Sequence, residues 1–479
     1  MNSLSKTHVC LGATPGVPGA IKEPVVWSRI PATNPAMTDA RLLRLQIRPA
    51  SPAALSLVRS LAALVATWEA RSRNRQRGPG GLEKLSAAVG SIVGGLLMNW
   101  GGSEARLSYR VRSKDDFDRG ALVSYDNYCV AMDGLIALGL VGLVATGKRF
   151  SRDFGGGMVT PGGHAPRYRP VQSLLEAATE AGVVPATVGA DWQPVPSRVP
   201  PRVSEPVIVK ALKVYGQRDS LKLPAARLGN ALGALQASVE AANAFAAEHD
   251  VRGCLPPRWS RHWFECPELY GRWHAAGHEG AYQSMRPGDR LGITIDGAAV
   301  VEVDVSAAHL TIMLGLLGKT VAAADPYAVI SQIPRSVLKH WVLVTLGKGL
   351  PPKAWSAKDL HECPETADYP IAAVAHALTT AYPFLSAPAA AVLTQAGLDA
   401  LSHLGAPQRL LTHRLMAIEA TAISDAIVAL RSKGVLALPI HDSLLVPLAA
   451  RGATMAAMGA AFVRHAGIVP TLKIAPPTL

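Results

Sequence analysis

Asp304 closes the apolar run Val300-Val301-Glu302-Val303-Asp304, and Asp442 follows Leu436-Ala437-Leu438-Pro439-Ile440-His441. Both acids stand at the edge of strand-forming segments. A strand end holds a carboxylate rigidly and leaves one side open, which suits a hard divalent cation. Between them, Arg335-Ser336-Val337-Leu338-Lys339 sets two cations four residues apart on one helical face. Carboxylates for Mg²⁺ and a cationic helix for a triphosphate are the components of a template-directed nucleotidyl transferase.

Positioning these groups requires particular elements. Glu302-Val-Asp304-Val-Ser306 leads straight into the apolar helix Ala307–Leu317, so Asp304 sits at a strand-to-helix transition. The helix from Arg335 packs through Trp341, Val342, Leu343 and Val344 and leaves Arg335 and Lys339 facing a cleft. A third helix, Arg414–Arg431, carries Glu419 and Asp425. It passes through Ser432-Lys433-Gly434 to a strand at Val435–Pro439, a turn at His441-Asp442 and a return strand at Leu444–Val446. A hairpin with Asp442 at its tip can bring that carboxylate beside Asp304. The predicted fold class is α+β.

At these residues the chain resembles family A DNA polymerases and the bacteriophage-type single-subunit RNA polymerases. Asp304 with Ser306 is similar to their motif A, Arg335-x3-Lys339 to motif B and His441-Asp442 to motif C, in that order. The likeness runs from about Trp259 to Val446. It extends to polymerase-like proteins of mobile elements, in which a segment similar to Arg290–His309 precedes motif B. The resemblance implies a right-hand palm-and-fingers core with an antiparallel palm sheet. It implies two Mg²⁺ ions, with Mn²⁺ able to substitute, held by Asp304 and Asp442. Lys339 would contact the triphosphate and protonate the leaving group, and Arg335 would grip the outer phosphates. Arg290 and Lys348 are further nucleotide or template candidates. His441, Ser443 and Glu419 would support the primer end or the turn.

The chain also departs from the family. Gly347-Lys348 stands where the family has Tyr-Gly, and Ser443 replaces the glutamate after His-Asp. His309 replaces the residue that is glutamate in the DNA enzymes and glycine in the RNA enzymes, which leaves the choice of sugar open. The implied partners are a DNA primer-template, nucleoside triphosphates and replication accessory proteins, in the service of a mobile element. An RNA-synthesising or priming polymerase and a non-catalytic DNA-binding replication or regulatory protein are the alternatives.

Along the chain, five units are expected. Residues 1–80 hold a helix and a basic junction, Arg71-Ser-Arg-Asn-Arg-Gln-Arg77. Residues 81–180 read as helix, helix, strand, Gly- and Arg-rich loop, strand. That pattern resembles a winged helix with Lys148, Arg149, Arg152 and Arg167 on DNA phosphate. A Pro-rich linker (181–206), a helical thumb-like segment (207–255) and the palm and fingers (256–479) follow.

The net charge of +13 suits a polyanionic partner. Five scattered cysteines without a CxxC pair argue for a reducing compartment and against a disulfide framework. No signal pattern or apolar run of membrane-spanning length is read from the sequence, so a cytoplasmic location without membrane contact is expected. The glycine runs at 155–157 and 162–163 are not followed by Lys-Ser/Thr, which excludes a P-loop.

Overall fold

Apolar side chains gather into two large cores, one drawn from Leu43 to Trp192 and the other from Val239 to Ile468. The computed structural model describes residues 39–72, 76–101, 105–117, 121–153, 159–195, 199–213, 220–277, 279–320 and 325–475. It is a mixed α+β protein with several separate sheets.

In the first core, β1 (Arg41–Leu42) and β2 (Ile47–Pro49) lead into α1 (Pro52–Ala70), which Ser51 caps by accepting from Ala54 N. Helix α2 (Pro79–Trp100) buries Leu85, Val89, Ile92, Val93, Leu96 and Leu97, the face that the sequence period marks. Helix α3 (Tyr125–Ala137) packs on it. Strand β3 (Ser108–Tyr109) joins a sheet of order β1-β3-β7-β4 with β4 (Val141–Ala145) and β7 (Arg167–Pro170). Between β4 and β7 runs the separate hairpin of β5 (Lys148–Asp153) and β6 (Val159–His164). Helix α4 (Gln172–Glu180) follows.

Two expectations change here. The segment 181–206 is not all connector, because β8 (Trp192–Pro194) pairs with β2 and Trp192 is buried. Its indole donates to Gly90 O at 3.0 Å, and Gly94 leaves it room, since a Cβ there would lie 2.3 Å from the indole nitrogen. The prolines flank an anchored segment. Further, α1 and α2 are long and apolar enough to span a membrane by length and composition. Glycines break the apolar runs of α2, and Arg59 and Glu69 interrupt α1; α2 is wrapped by the first core.

The second half opens with β9 (Val207–Lys210) and β10 (Lys222–Leu223). In the segment 207–255, expected to be helical, the α-helix starts only at α5 (Leu232–Ala247). Lys222 and Leu223 pair with β9 instead, and Gly229 takes a φ of 54° that breaks the preceding turns. Strands β9 and β10 form a sheet with β12 (Trp259–Phe264) and β13 (Cys266–Ala275).

The largest sheet is antiparallel throughout, in the order β11 (Val251–Arg252), β14 (Thr294–Ile295), β15 (Ala298–Val305), β17 (Ser443–Pro447), β16 (Leu438–Ile440). Strand β18 (Leu472–Ala475) pairs with the far half of β15. Val301, Val303 and Val305 point into the core, each contributing about 1.5 kcal/mol by burial. Helices α6 (Ala308–Leu316), α7 (Arg335–Lys348), α8 (Ile371–Ala381), α9 (Pro407–Arg431) and α10 (Arg451–Ala466) supply the apolar residues around it.

Glu279 ties the two halves together. Its carboxylate accepts from Leu45 N at 2.6 Å, Gln46 N at 2.9 Å and Arg110 Nη1 at 2.9 Å. Both side chains of the ion pair are under a tenth exposed. A buried acid with three donors meets the condition under which burying charge is tolerated.

Candidate active site

Strand alternation sets the first carboxylates. Val301, Val303 and Val305 take the core face of β15, so Glu302 and Asp304 share the other. The antiparallel registers place Ser443 of β17 opposite Asp304 on one side and Lys473 of β18 opposite it on the other. After Asp304 the chain turns sharply. Ala307 sits in the left-handed region (φ 51°, ψ 49°) and α6 starts at once, while Thr311 Oγ1 donates to Ser306 O at 2.9 Å.

Ile440 pairs with Ser443, leaving His441-Asp442 as a two-residue hairpin turn with His441 at φ 53°. The outer edge of β16 is closed by side chains. Tyr282 Oη and Gln283 Nε2 each donate to Pro439 O at 2.7 Å. Asp442 is thereby held at a braced tip, one residue from the partner of Asp304.

The electrostatics of this corner are those of crowded acids whose nearby cations offset burial and repulsion only in part. Burial, then the charges of Glu419 and Asp304, push Asp442 up to about 7. Burial, then Glu302, push Asp304 up to about 6, against the opposing pull of Lys339 and Lys473. Glu419, from the middle of α9 and 1% exposed, behaves differently. Burial would raise it, but His309 and Arg272 hold it below the usual carboxylate range. Arg272 Nη2 lies 2.6 Å from Oε1, and His309 Nε2 lies 3.3 Å from Oε2 at an ion-pair distance without hydrogen-bond geometry.

The expected site residues fare unequally. Asp304, Asp442, Ser443, His441, Glu419 and His309 are brought to one corner, and Lys339 is exposed on α7 with its charge felt at Asp304. Arg290 is buried and paired inside the protein. Its Nη2 lies 3.0 Å from Glu302 Oε2 and its Nη1 donates to Met285 O at 3.1 Å. Ser443 Oγ completes that network by donating to Glu302 Oε1 at 2.7 Å.

Arg335 is likewise paired, its Nε donating to Asp325, and its guanidinium lies 5.3 Å from the Tyr327 ring centre. Lys348 stands nine residues beyond Lys339, which at about 100° per residue puts it on the opposite face of α7 and roughly 13 Å further along. Arg167 donates to Ala165 O at 2.7 Å and lies over the Tyr109 ring. Lys148, Arg149 and Arg152 fall in β5, and their side chains lie outside the described residues.

Three residues escaped the sequence reading. Lys473 faces Asp304 across the sheet, Asp325 holds Arg335, and Arg272 neutralises Glu419. Lys473 lies in the four-residue strand β18 and Arg272 in the ten-residue strand β13, and no local pattern discloses what either faces. Asp325 had a local signal in Asp325-Pro326-Tyr327, where its side chain accepts from Tyr327 N as a helix cap.

Oxygen donors of this kind suit Mg²⁺ or Mn²⁺ and not a thiolate- or imidazole-seeking metal. Among the described residues, no group of three or more His, Cys, Asp or Glu side chains is assembled for a metal ion. Two carboxylates with water and substrate oxygens are a sufficient set for Mg²⁺, which keeps much of its own hydration. No protein-family model matches the chain, and no curated protein matches it.

Proposed function

We propose that the protein is a template-directed nucleotidyl transferase, a DNA polymerase with a palm-and-fingers core similar to family A, acting in replication or repair of a mobile element. The observation that carries this reading is the pair Asp304 and Asp442. They stand on adjoining strand ends, both raised by burial and by neighbouring acids, beside the cationic face of α7.

Asp304 and Asp442 would hold Mg²⁺. When bound, the ions lower the primer hydroxyl's pKa and neutralise the departing pyrophosphate. Lys339 binds the triphosphate and is the available proton donor to the leaving group. Glu302, fixed by Arg290 and Ser443, keeps β15 in register. Glu419, held by Arg272 and His309, keeps a negative charge behind both aspartates. The hairpin of β5 and β6, a two-stranded sheet of its own between β4 and β7, would be the wing of a winged-helix-like DNA-binding module, and the net charge of +13 favours the same partner.

Primer extension tests the reading, run with deoxy- and ribonucleotides in Mg²⁺. Wild type extends a primer with deoxynucleotides, and Asp304→Asn and Asp442→Asn lose about 10³-fold or more while still binding the duplex. Binding without synthesis by wild type would leave a DNA-binding protein and end the enzymatic reading. Preference for ribonucleotides would move it to the RNA-synthesising alternative.

A further inference from the structure

Lys473 and Asp325 belong to none of the motifs above, yet they meet at the corner. Lys473 is the direct cross-strand neighbour of Asp304. Its ammonium lies 3.9 Å from Asp325 Oδ2, the same oxygen that accepts from Arg335 Nε. Lys473 and Arg335 are each 44% exposed, and Asp325 is 23% exposed. Two half-open cations therefore share one carboxylate oxygen at the mouth of the site. Lys339 stands one helical turn from Arg335, free of any such partner among the described ion pairs.

A carboxylate shared by two cations resembles in charge what a phosphate would offer them, and it is the weaker ligand. It carries one charge, while a triphosphate carries several and more acceptor oxygens. The pairs are solvent-accessible, so each contributes little to stability and is readily exchanged. Asp325 is also kept in place independently, since its Oδ1 accepts from Tyr327 N at 3.3 Å.

We propose that Lys473 is a third triphosphate-binding cation, with Arg335 and Lys339, and that Asp325 is an internal anion occupying Arg335 and Lys473 until the nucleotide's phosphates displace it. This rests on the nucleotidyl-transfer reading and names within it a binding residue and a built-in competitor. The competitor makes nucleotide binding an exchange of anions. It weakens the site for any single phosphate and favours ligands that reach all three cations together.

The two residues predict opposite signs. Binding of inorganic tripolyphosphate and of a Mg²⁺–deoxynucleotide is measured by calorimetry on the full chain, without template and therefore without turnover. Lys473→Ala weakens both about five-fold, and Asp325→Asn, which keeps the capping oxygen, tightens both about five-fold, as expected for one charge at a half-exposed site. Lys348→Ala, on the opposite face of α7, changes neither.

Unchanged binding in Lys473→Ala, or unchanged or weaker binding in Asp325→Asn, overturns the proposal. Those outcomes leave the polymerase reading standing if wild type extends a primer and Asp442→Asn does not. Conversely, opposite shifts in tripolyphosphate affinity with no extension by wild type retain the anion site and sink the polymerase.

Discussion

Glu279 and Asp442 are two acids withdrawn from water in the same chain, and their surroundings differ completely. Glu279, at the seam between the cores, has two backbone amides and a guanidinium on its two oxygens. Asp442, at the strand-end corner, faces the negative charges of Glu419 and Asp304. The seam is solved for folding, with every charge matched inside the protein. The corner is only partly solved: Lys339, Lys473 and Arg272 oppose the acids, yet burial and mutual repulsion still leave Asp304 and Asp442 raised. Under the proposed function, a cation from outside would complete acids that repel one another in this way.

The largest effect that tests this contrast is on stability. Glu279→Ala leaves Arg110 buried without its carboxylate and costs about 3–5 kcal/mol, read by urea denaturation. Asp442→Asn removes a repulsive charge at constant shape and leaves stability unchanged or raised. Equal losses in the two variants would erase the distinction.

A smaller effect follows from pH. Asp304 and Asp442 are pushed in the fold to about 6 and about 7, above their ordinary value of 3.8. The fold therefore holds protons that the unfolded chain has released, so these groups favour folding at low pH. That advantage is lost as pH rises from about 4 to about 7. In EDTA, the Tm of wild type relative to Asp442→Asn falls by a few degrees between pH 5 and pH 8. Mg²⁺ restores it at pH 8 more than at pH 5; equal restoration at both would argue against a carboxylate cation site.

The smallest effect concerns the turn behind Asp304. An alanine in the left-handed region costs about 1 kcal/mol, and glycine gives part of that back through its greater freedom when unfolded. Ala307→Gly is expected to stabilise by about 0.5 kcal/mol on balance. A loss instead would mean that the Ala307 methyl is needed for packing at the corner.

Much of the site was readable because its signals are local. Period-two alternation marks Glu302 and Asp304 as sharing a face, and a two-residue break between apolar runs marks the Asp442 turn. Four-residue spacing puts Arg335 and Lys339 together. The pairing of Arg290 was not readable because a lone cation does not display its partner, and Glu302 engages it from twelve residues away. Lys348 falls away from Lys339 for a reason the sequence does contain, since nine residues carry a helix to its opposite face. The anchored Trp192 was hidden among prolines that suggest a connector.

The amino-acid sequence by itself determined the strand that carries Asp304, the turn that carries Asp442 and the cationic face of α7, because each follows from steric and hydrophobic periods within one element. Only the tertiary structure decided that Lys473 lies across from Asp304, that Asp325 engages Arg335 and that Glu279 joins the two cores. Those are matters of strand register and long-range burial, which are set by how whole elements pack and leave no trace in the spacing of neighbouring residues.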